Sequence, residues 1–245
     1  MSSQIQPEFF EKLKPRYCDN GVFNSFIAKF RMIGMQKTDR GEDMSHYYDE
    51  NPEVKSDEKQ ITYECYQHSI NLTTDNGVFS RDKVDFGSDL LIQTFLKANP
   101  PGPSKTIADV GCGYGPIGLM IAKVSPHHHI TMLDVNRRAL ELAKKNKKKN
   151  HIENADIFES DGMTQVDNNQ FDFVLTNPPI RAGKTVVHRI FEEAYQKLKS
   201  NGELFVVIQK KQGMPSAKKK MDELFNNVEV VNKSKGYYIL KSVKA

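Results

Sequence analysis

The feature that most constrains this chain is an alternation that starts at Thr106 and continues to the last residues. Short β-rich apolar runs at 106–110, 130–134, 155–159, 171–175 and 204–208 take turns with helix-period segments at 116–124, 137–149, 187–199 and 216–225. Strands that alternate with helices are joined by crossovers, and crossovers build a mostly parallel sheet with helices on both faces. Two further strand-like runs, 228–231 and 237–240, are separated only by Asn232-Lys233-Ser234-Lys235-Gly236. That gap suits a hairpin, so one edge strand is expected to be antiparallel. The expected fold class is therefore α/β, a doubly wound seven-stranded sheet over 101–245.

Two stretches precede it. Residues 44–100 read as a leading module. The β-rich runs 61–66 and 69–74 suggest a hairpin, Asp75-Asn76-Gly77 is a turn signal, and 88–98 carries apolar residues at helical spacing until Asn99-Pro100-Pro101-Gly102-Pro103 stops it. Residues 1–43 form an N-terminal extension. Phe23, Phe26 and Phe30 lie at roughly helical spacing, and a polar linker-like run from Thr38 to Asp43 ends it. Met44 follows directly, and one reading places the physiological start there.

Composition excludes several classes. No apolar run approaches the roughly 20 residues of a membrane span, and Met1 to Phe10 lack the basic-then-apolar order of a signal peptide. A soluble, cytoplasmic chain is expected. Cys18, Cys65 and Cys112 are too few and too scattered for a disulfide framework or a zinc knuckle. His127-His128-His129 has no acidic or cysteine partner at ligand spacing and reads as a solvated connection, so no metal is expected. The net charge of +4 decides little, but its distribution is uneven: Lys144, Lys145, Lys147, Lys148 and Lys149, then Lys210 and Lys211, then Lys218, Lys219 and Lys220. Such clusters are either phosphate-seeking faces or solvated helix surfaces, and charge alone does not choose between them.

Two motifs carry chemistry. The first, from Asp109 to Gly118 (DVGCGYGPIG), follows a strand and opens a helix. Its glycines let the backbone turn sharply and approach a ligand, and the helix start offers unpaired N–H groups. A glycine loop alone also fits a dinucleotide site or a tight turn. Asp109 narrows the choice, because a carboxylate there bonds an ammonium or a loop N–H but opposes a pyrophosphate. Asp134 ends the next strand, where it either accepts from the hydroxyls of a ribose or caps the following helix.

The second motif runs Thr176-Asn177-Pro178-Pro179-Ile180-Arg181-Ala182-Gly183-Lys184 directly off a strand. Ligands of parallel sheets bind beyond the carboxyl ends of the strands, so both motifs point at one cleft. Consecutive prolines remove N–H donors and leave bare carbonyls. The Asn177 side-chain oxygen and the Pro178 carbonyl can grip both hydrogens of a planar NH₂ group and hold its lone pair toward an electrophile.

On these residues, together with Asp161-Gly162, Asp75 to Ser80 and Val84 to Ser88, the chain from about Met44 onward resembles the RsmC-like branch of class I S-adenosylmethionine-dependent methyltransferases. These are guanine-N2 methyltransferases of small-subunit ribosomal RNA and their relatives, with a Rossmann-like fold. The resemblance implies that Asp109, Gly111 and Gly113 hold the methionine part of the donor and that Asp134 binds its ribose. It places Asp161 at the adenine amine with Gly162 or Met163 beside the ring, and Asn177 and Pro178 on the target amine. Pro179, Ile180, Arg181 and Lys184 would meet the substrate, while Phe79 and Phe86 would line the mouth of the cleft. The implied partner is RNA, ribosomal RNA or the small ribosomal subunit. Two departures stand out: Ile180 occupies a position often held by Tyr or Phe, and the duplicated N-terminal domain of longer family members is missing. Glutamine amides of proteins, adenine N6 and small-molecule amines remain alternative acceptors. A nicotinamide-dependent oxidoreductase and a catalytically silent RNA-binding chaperone are readings from other classes.

Overall fold

The computed structural model describes residues 55–100 and 102–245. The N-terminal extension over 1–43, the proposed start at Met44 and Cys18 lie outside the described residues.

The chain opens with an antiparallel hairpin, β1 (Lys59–Cys65) and β2 (His68–Thr74), followed by α1 (Phe86–Ala98). Then come β3 (Thr106–Val110), α2 (Pro116–Val124), β4 (His129–Asp134), α3 (Arg137–Lys149), β5 (Ala155–Glu159) and β6 (Phe171–Thr176). A short 3₁₀ turn, Ile180–Ala182, leads into α4 (Lys184–Lys197), β7 (Leu198–Gln209), α5 (Met214–Phe225), β8 (Glu229–Ser234) and β9 (Tyr237–Val243). The main sheet has seven strands in the order β5-β4-β3-β6-β7-β9-β8, with β3 to β7 parallel.

One expectation is met and two are corrected. The sheet ends in an antiparallel pair: β9 pairs antiparallel with both β7 and β8, and β8 forms the edge. Burial explains the order: Ile239 and Leu240 of β9 are fully buried, whereas Val230 and Val231 of β8 remain exposed. The helix expected over 187–199 starts and ends earlier, so that Leu198 and Lys199 belong to β7, whose residue Leu198 registers with Phe171. His128 is not solvated. It is buried, and its Nδ1 accepts the Lys105 N–H at 3.2 Å, while His129 remains exposed beside Asp156.

Two apolar clusters cover the two faces of the sheet. One joins Ile70 and Leu72 of the hairpin, Leu91 and Phe95 of α1, and Ile121 of α2 to Phe205 and Val207 of the sheet. The other packs Phe191 of α4 and Met221 of α5 against Val174 and Val206. The leading module thus shares its core with the sheet. Its strand pair is too small to be stable alone.

The lysine-rich helix α3 holds the hairpin through its asparagines. Asn146 and Asn150 lie one helical turn apart and meet alternate residues of β2. Asn146 Oδ1 accepts the Thr73 N–H at 2.6 Å, and its Nδ2 donates to the Thr73 carbonyl at 3.0 Å. Asn150 makes the same pair with Asn71, both at 2.8 Å. The 3.6-residue helical repeat thus continues a sheet ladder of period two, and the free edge of β2 is satisfied by side-chain amides.

Candidate functional site: a cleft between the glycine loop and the Asn-Pro-Pro turn

β3 and β6 are neighbours in register. Val110 pairs with Thr176, and Thr176 Oγ1 donates to the Val110 carbonyl at 2.8 Å. The residues that follow, Gly111 and Asn177, therefore leave the same edge of the sheet side by side. Both line one open cleft with Gly113, Phe79, Asp85 and Ser88.

The glycine loop is held from behind. Gly111 and Cys112 donate their N–H groups to the Leu133 carbonyl at 2.8 and 3.0 Å. Gly111 has φ +74°, and a Cβ there would meet nothing within 4 Å, so its open side faces the cleft. Gly118 serves a close approach instead. A Cβ would stand 2.8 Å from Met132 Cγ and 3.0 Å from Asp109 Oδ2. With no side chain in the way, Gly118 N–H donates to Asp109 Oδ2 at 2.8 Å.

Asp109 is only 1% exposed, and its Oδ1 has no hydrogen-bond partner among the described residues. Burial pushes its carboxyl up to about 7 despite the Gly118 N–H, and the charge of Asp134 adds to the rise. An orphaned buried acid behind the loop suits a cationic donor and opposes a pyrophosphate. Asp134 ends β4, is buried, and is raised by burial as well, against the N–H donors that favour its charge. Its Oδ2 accepts the Gly113 N–H at 2.7 Å and its Oδ1 the Asn136 N–H at 2.9 Å. Each carboxylate oxygen keeps a lone pair for a ribose hydroxyl. The cap of α3 is Asn136, which accepts from Ala139 N–H, so Asp134 is not spent as a helix cap. Cys112 is a poor nucleophile, because burial pushes its thiol well above the ordinary range.

On the other wall, Asn177 is oriented by the N-terminus of α1. Its Nδ2 donates to Ser88 Oγ at 3.0 Å and to Asp85 Oδ2 at 3.3 Å. A carboxylate only accepts, so the amide must turn its NH₂ toward Asp85 and its oxygen away. No described residue donates to Asn177 Oδ1 or to the Pro178 carbonyl, which leaves two acceptors on consecutive residues for a ligand. Asp85 also caps α1, accepting from Gly87 and Ser88 N–H. Asp85 and Ser88 lie in the Val84 to Ser88 segment that carries the resemblance, which gave them no role; the signal available for one was an acid in N-cap position.

The remaining expected residues are dispersed. Arg181 and Lys184 are exposed where the turn enters α4. The Pro179 carbonyl accepts from Ala182 N–H, and Ile180 is half-buried against the second core cluster. Asp161 is exposed and bound by Arg189 of α4 at 2.8 and 2.5 Å. Met163 is fully buried in the second cluster, and Gly162 beside it is half-buried. Phe79 lines the cleft and is 42% exposed, whereas Phe86 packs on Tyr237 with ring centres 5.6 Å apart. No cluster of metal-ligating side chains occurs among the described residues, and none of their helices is long and apolar enough to cross a membrane.

The chain was compared with known proteins. Residues 69–241 match the family model of the methyltransferase small domain. The uncharacterized protein YbxB of Bacillus subtilis is 52% identical over 200 residues, which is 81% of this chain and 98% of that protein. The ribosomal RNA small subunit methyltransferase C of Erwinia tasmaniensis is 32% identical over 72% of this chain and 50% of its own length. Among solved structures, the T. thermophilus 16S rRNA N2 G1207 methyltransferase in complex with AdoMet and guanosine superposes with a TM-score of 0.71, at 22% identity, over 79% of this chain and 52% of that one. The chain spans about half the length of these two ribosomal RNA methyltransferases. With the matched segment enclosing the hairpin, the glycine loop and the Asn-Pro-Pro turn, this chain belongs to the methyltransferase small-domain family, RsmC-like enzymes that use S-adenosylmethionine.

Proposed function

We propose that this chain transfers the methyl group of S-adenosylmethionine to an exocyclic amine of a base in ribosomal RNA, and that the amine is N2 of guanine. The observation that carries the reading is the Asn177 amide, which lines the cleft beside Gly111 and Gly113 with its oxygen turned away from Asp85 and Ser88, followed in sequence by the Pro178 carbonyl, to which no described residue donates. Bound S-adenosylmethionine supplies an electrophilic methyl group on a sulfonium. The residues of this chain supply position. Gly111 gives the donor backbone-close access, and Asp109 and Asp134 offer buried carboxyl acceptors behind the loop. The two acceptors hold both hydrogens of the NH₂ group, which aligns the nitrogen lone pair and stabilises the positive charge that develops on it. Asp161 is proposed to reach the adenine amine on exchanging its Arg189 partner. Guanine N2 is favoured over other planar amines by the likeness to relatives whose names specify ribosomal RNA and, in one case, N2 of a guanine.

The test is Asn177→Ala. Affinity for S-adenosylhomocysteine by calorimetry should remain within a few-fold of wild type, while methyl transfer to RNA from a strain lacking the protein should fall by about 100-fold or more, the scale of a lost positioning contact. Near-normal turnover in the variant removes the assigned role. Label that enters protein and not RNA moves the acceptor to a glutamine amide.

A further inference from the structure

The lysine clusters divide once they are placed on the fold. α3 leaves the carboxyl edge of β4 and runs back toward the start of β5, so its last turn, with Lys147, Lys148 and Lys149, lies about 20 Å from the cleft edge. Lys144 pairs with Glu141, Lys145 with Glu58, and Lys149 with Gln60. Three of the five lysines are thus engaged by the helix itself or by residues at the start of the hairpin, and Lys147 and Lys148 sit on the turn farthest from the cleft.

The cleft edge is different. β6 and β7 end there, and β9 begins there, since Gln209 pairs with Tyr237. The segments after β6 and β7 and the β8–β9 turn therefore emerge together. Lys210 N–H donates to the Gly236 carbonyl at 2.9 Å, and His188 Nε2 lies 3.1 Å from Ser216 Oγ, which ties the start of α4 to that of α5. No Asp or Glu occurs in 177–191, 204–221 or 230–245. Arg181, Lys184, Lys210, Lys211, Lys233 and Lys235 are all exposed, and none is ion-paired with a described residue. Lys235 lies 4.7 Å from the centre of the Phe86 ring, next to Asp85 of the cleft wall. Six cations with no ion pair to a described residue, on segments that carry no acid, form a predominantly positive field, and a phosphate backbone is the polyanion such a field attracts.

We infer that the β6–β7–β9 edge, and not the longer lysine run of α3, is the surface that grips the RNA backbone beside the acceptor base. This rests on the reading that the acceptor lies in RNA. The cations fix register and supply salt-dependent affinity, and base choice is left to the cleft.

The experiment compares two variants that each remove four lysines. The edge variant is Lys210→Ala, Lys211→Ala, Lys233→Ala and Lys235→Ala. The α3 variant is Lys144→Ala, Lys145→Ala, Lys147→Ala and Lys148→Ala. Binding to a labelled single-stranded oligoribonucleotide is followed through a salt titration, with calorimetry of S-adenosylhomocysteine as the check on folding. The edge variant should lose at least about tenfold in RNA affinity and about 3 in the slope of log K against log salt, near 0.7 for each single-strand phosphate contact. The α3 variant should stay within about twofold, and both should bind S-adenosylhomocysteine as wild type does. An α3 variant that loses as much as the edge variant, or an edge variant that binds RNA like wild type, overturns the assignment. A wild-type chain that binds no RNA overturns both this surface and the RNA reading, whereas methylation of RNA by an unimpaired edge variant overturns this surface alone.

Discussion

Asn146→Ala removes one side chain from the lysine-rich helix α3. Asn146 is completely buried and makes three bonds to backbone: from Thr73 N–H at 2.6 Å, to the Thr73 carbonyl at 3.0 Å and to the Tyr114 carbonyl at 2.9 Å. Alanine leaves all three backbone groups without a partner in a dry site. A buried group left unsatisfied costs about 1–3 kcal/mol, so three of them should cost about 3–9 kcal/mol. At roughly 2–4 °C per kcal/mol for a chain of this size, even the lower bound lowers Tm by about 6–12 °C in scanning calorimetry. Asn150→Ala is the control. Asn150 makes the equivalent pair with Asn71 but is 7% exposed, so water can replace part of it and the loss should be about 1–2 kcal/mol. Native-state hydrogen exchange should show the Thr73 amide opening in Asn146→Ala before the central sheet does. A Tm within about 3 °C of wild type, or a fall no larger than that of Asn150→Ala, refutes the reasoning that these amides close the edge of β2.

Two further outcomes follow from the cleft. Asp109 has a folded-state pKa of about 7 against an ordinary value of 3.8, a difference of about 4 kcal/mol. A raised acid pKa means that the ionised form penalises folding. The penalty is complete above pH 7, shrinks as pH falls and is gone below about 4. Asp109→Asn should therefore stabilise the ligand-free protein at pH 8 by about 1–3 kcal/mol, the gain offset in part by a buried NH₂ without an acceptor; it should also flatten Tm between pH 5 and 8 and weaken donor binding, and parallel Tm–pH curves for the two proteins count against it. Asp85→Asn keeps the helix cap, because Asn caps as well as Asp, but turns a second NH₂ toward Asn177. Stability should change by less than about 1 kcal/mol and the single-turnover transfer rate should fall by about 10- to 100-fold with donor affinity intact; an unchanged rate removes Asp85 as the residue that positions the amide.

How much was legible in the sequence depends on the range of the interaction. Strand and helix periods are local, and so are the glycine loop, the two prolines and the acids at strand ends. Hence the parallel sheet, the α/β class and the convergence of the two motifs on one edge could be read directly from 106–184. The place of β9 was not legible, because 228–231 and 237–240 carry similar β patterns and only packing against β7 decides which is buried. Nor was Asn146 legible among its lysines, since an amide in a polar run has no signature until a strand edge 73 residues away in sequence supplies its partners. Asp85 and Asn177 stand 92 residues apart, and the orientation of the Asn177 amide exists only where α1 meets the end of β6. The chemistry was thus written in local motifs. Which acceptors face outward, which lysines lack a partner and which strand is buried were decided by long-range contacts, because a hydrogen bond or an ion pair is satisfied by whatever folding brings within 3 Å.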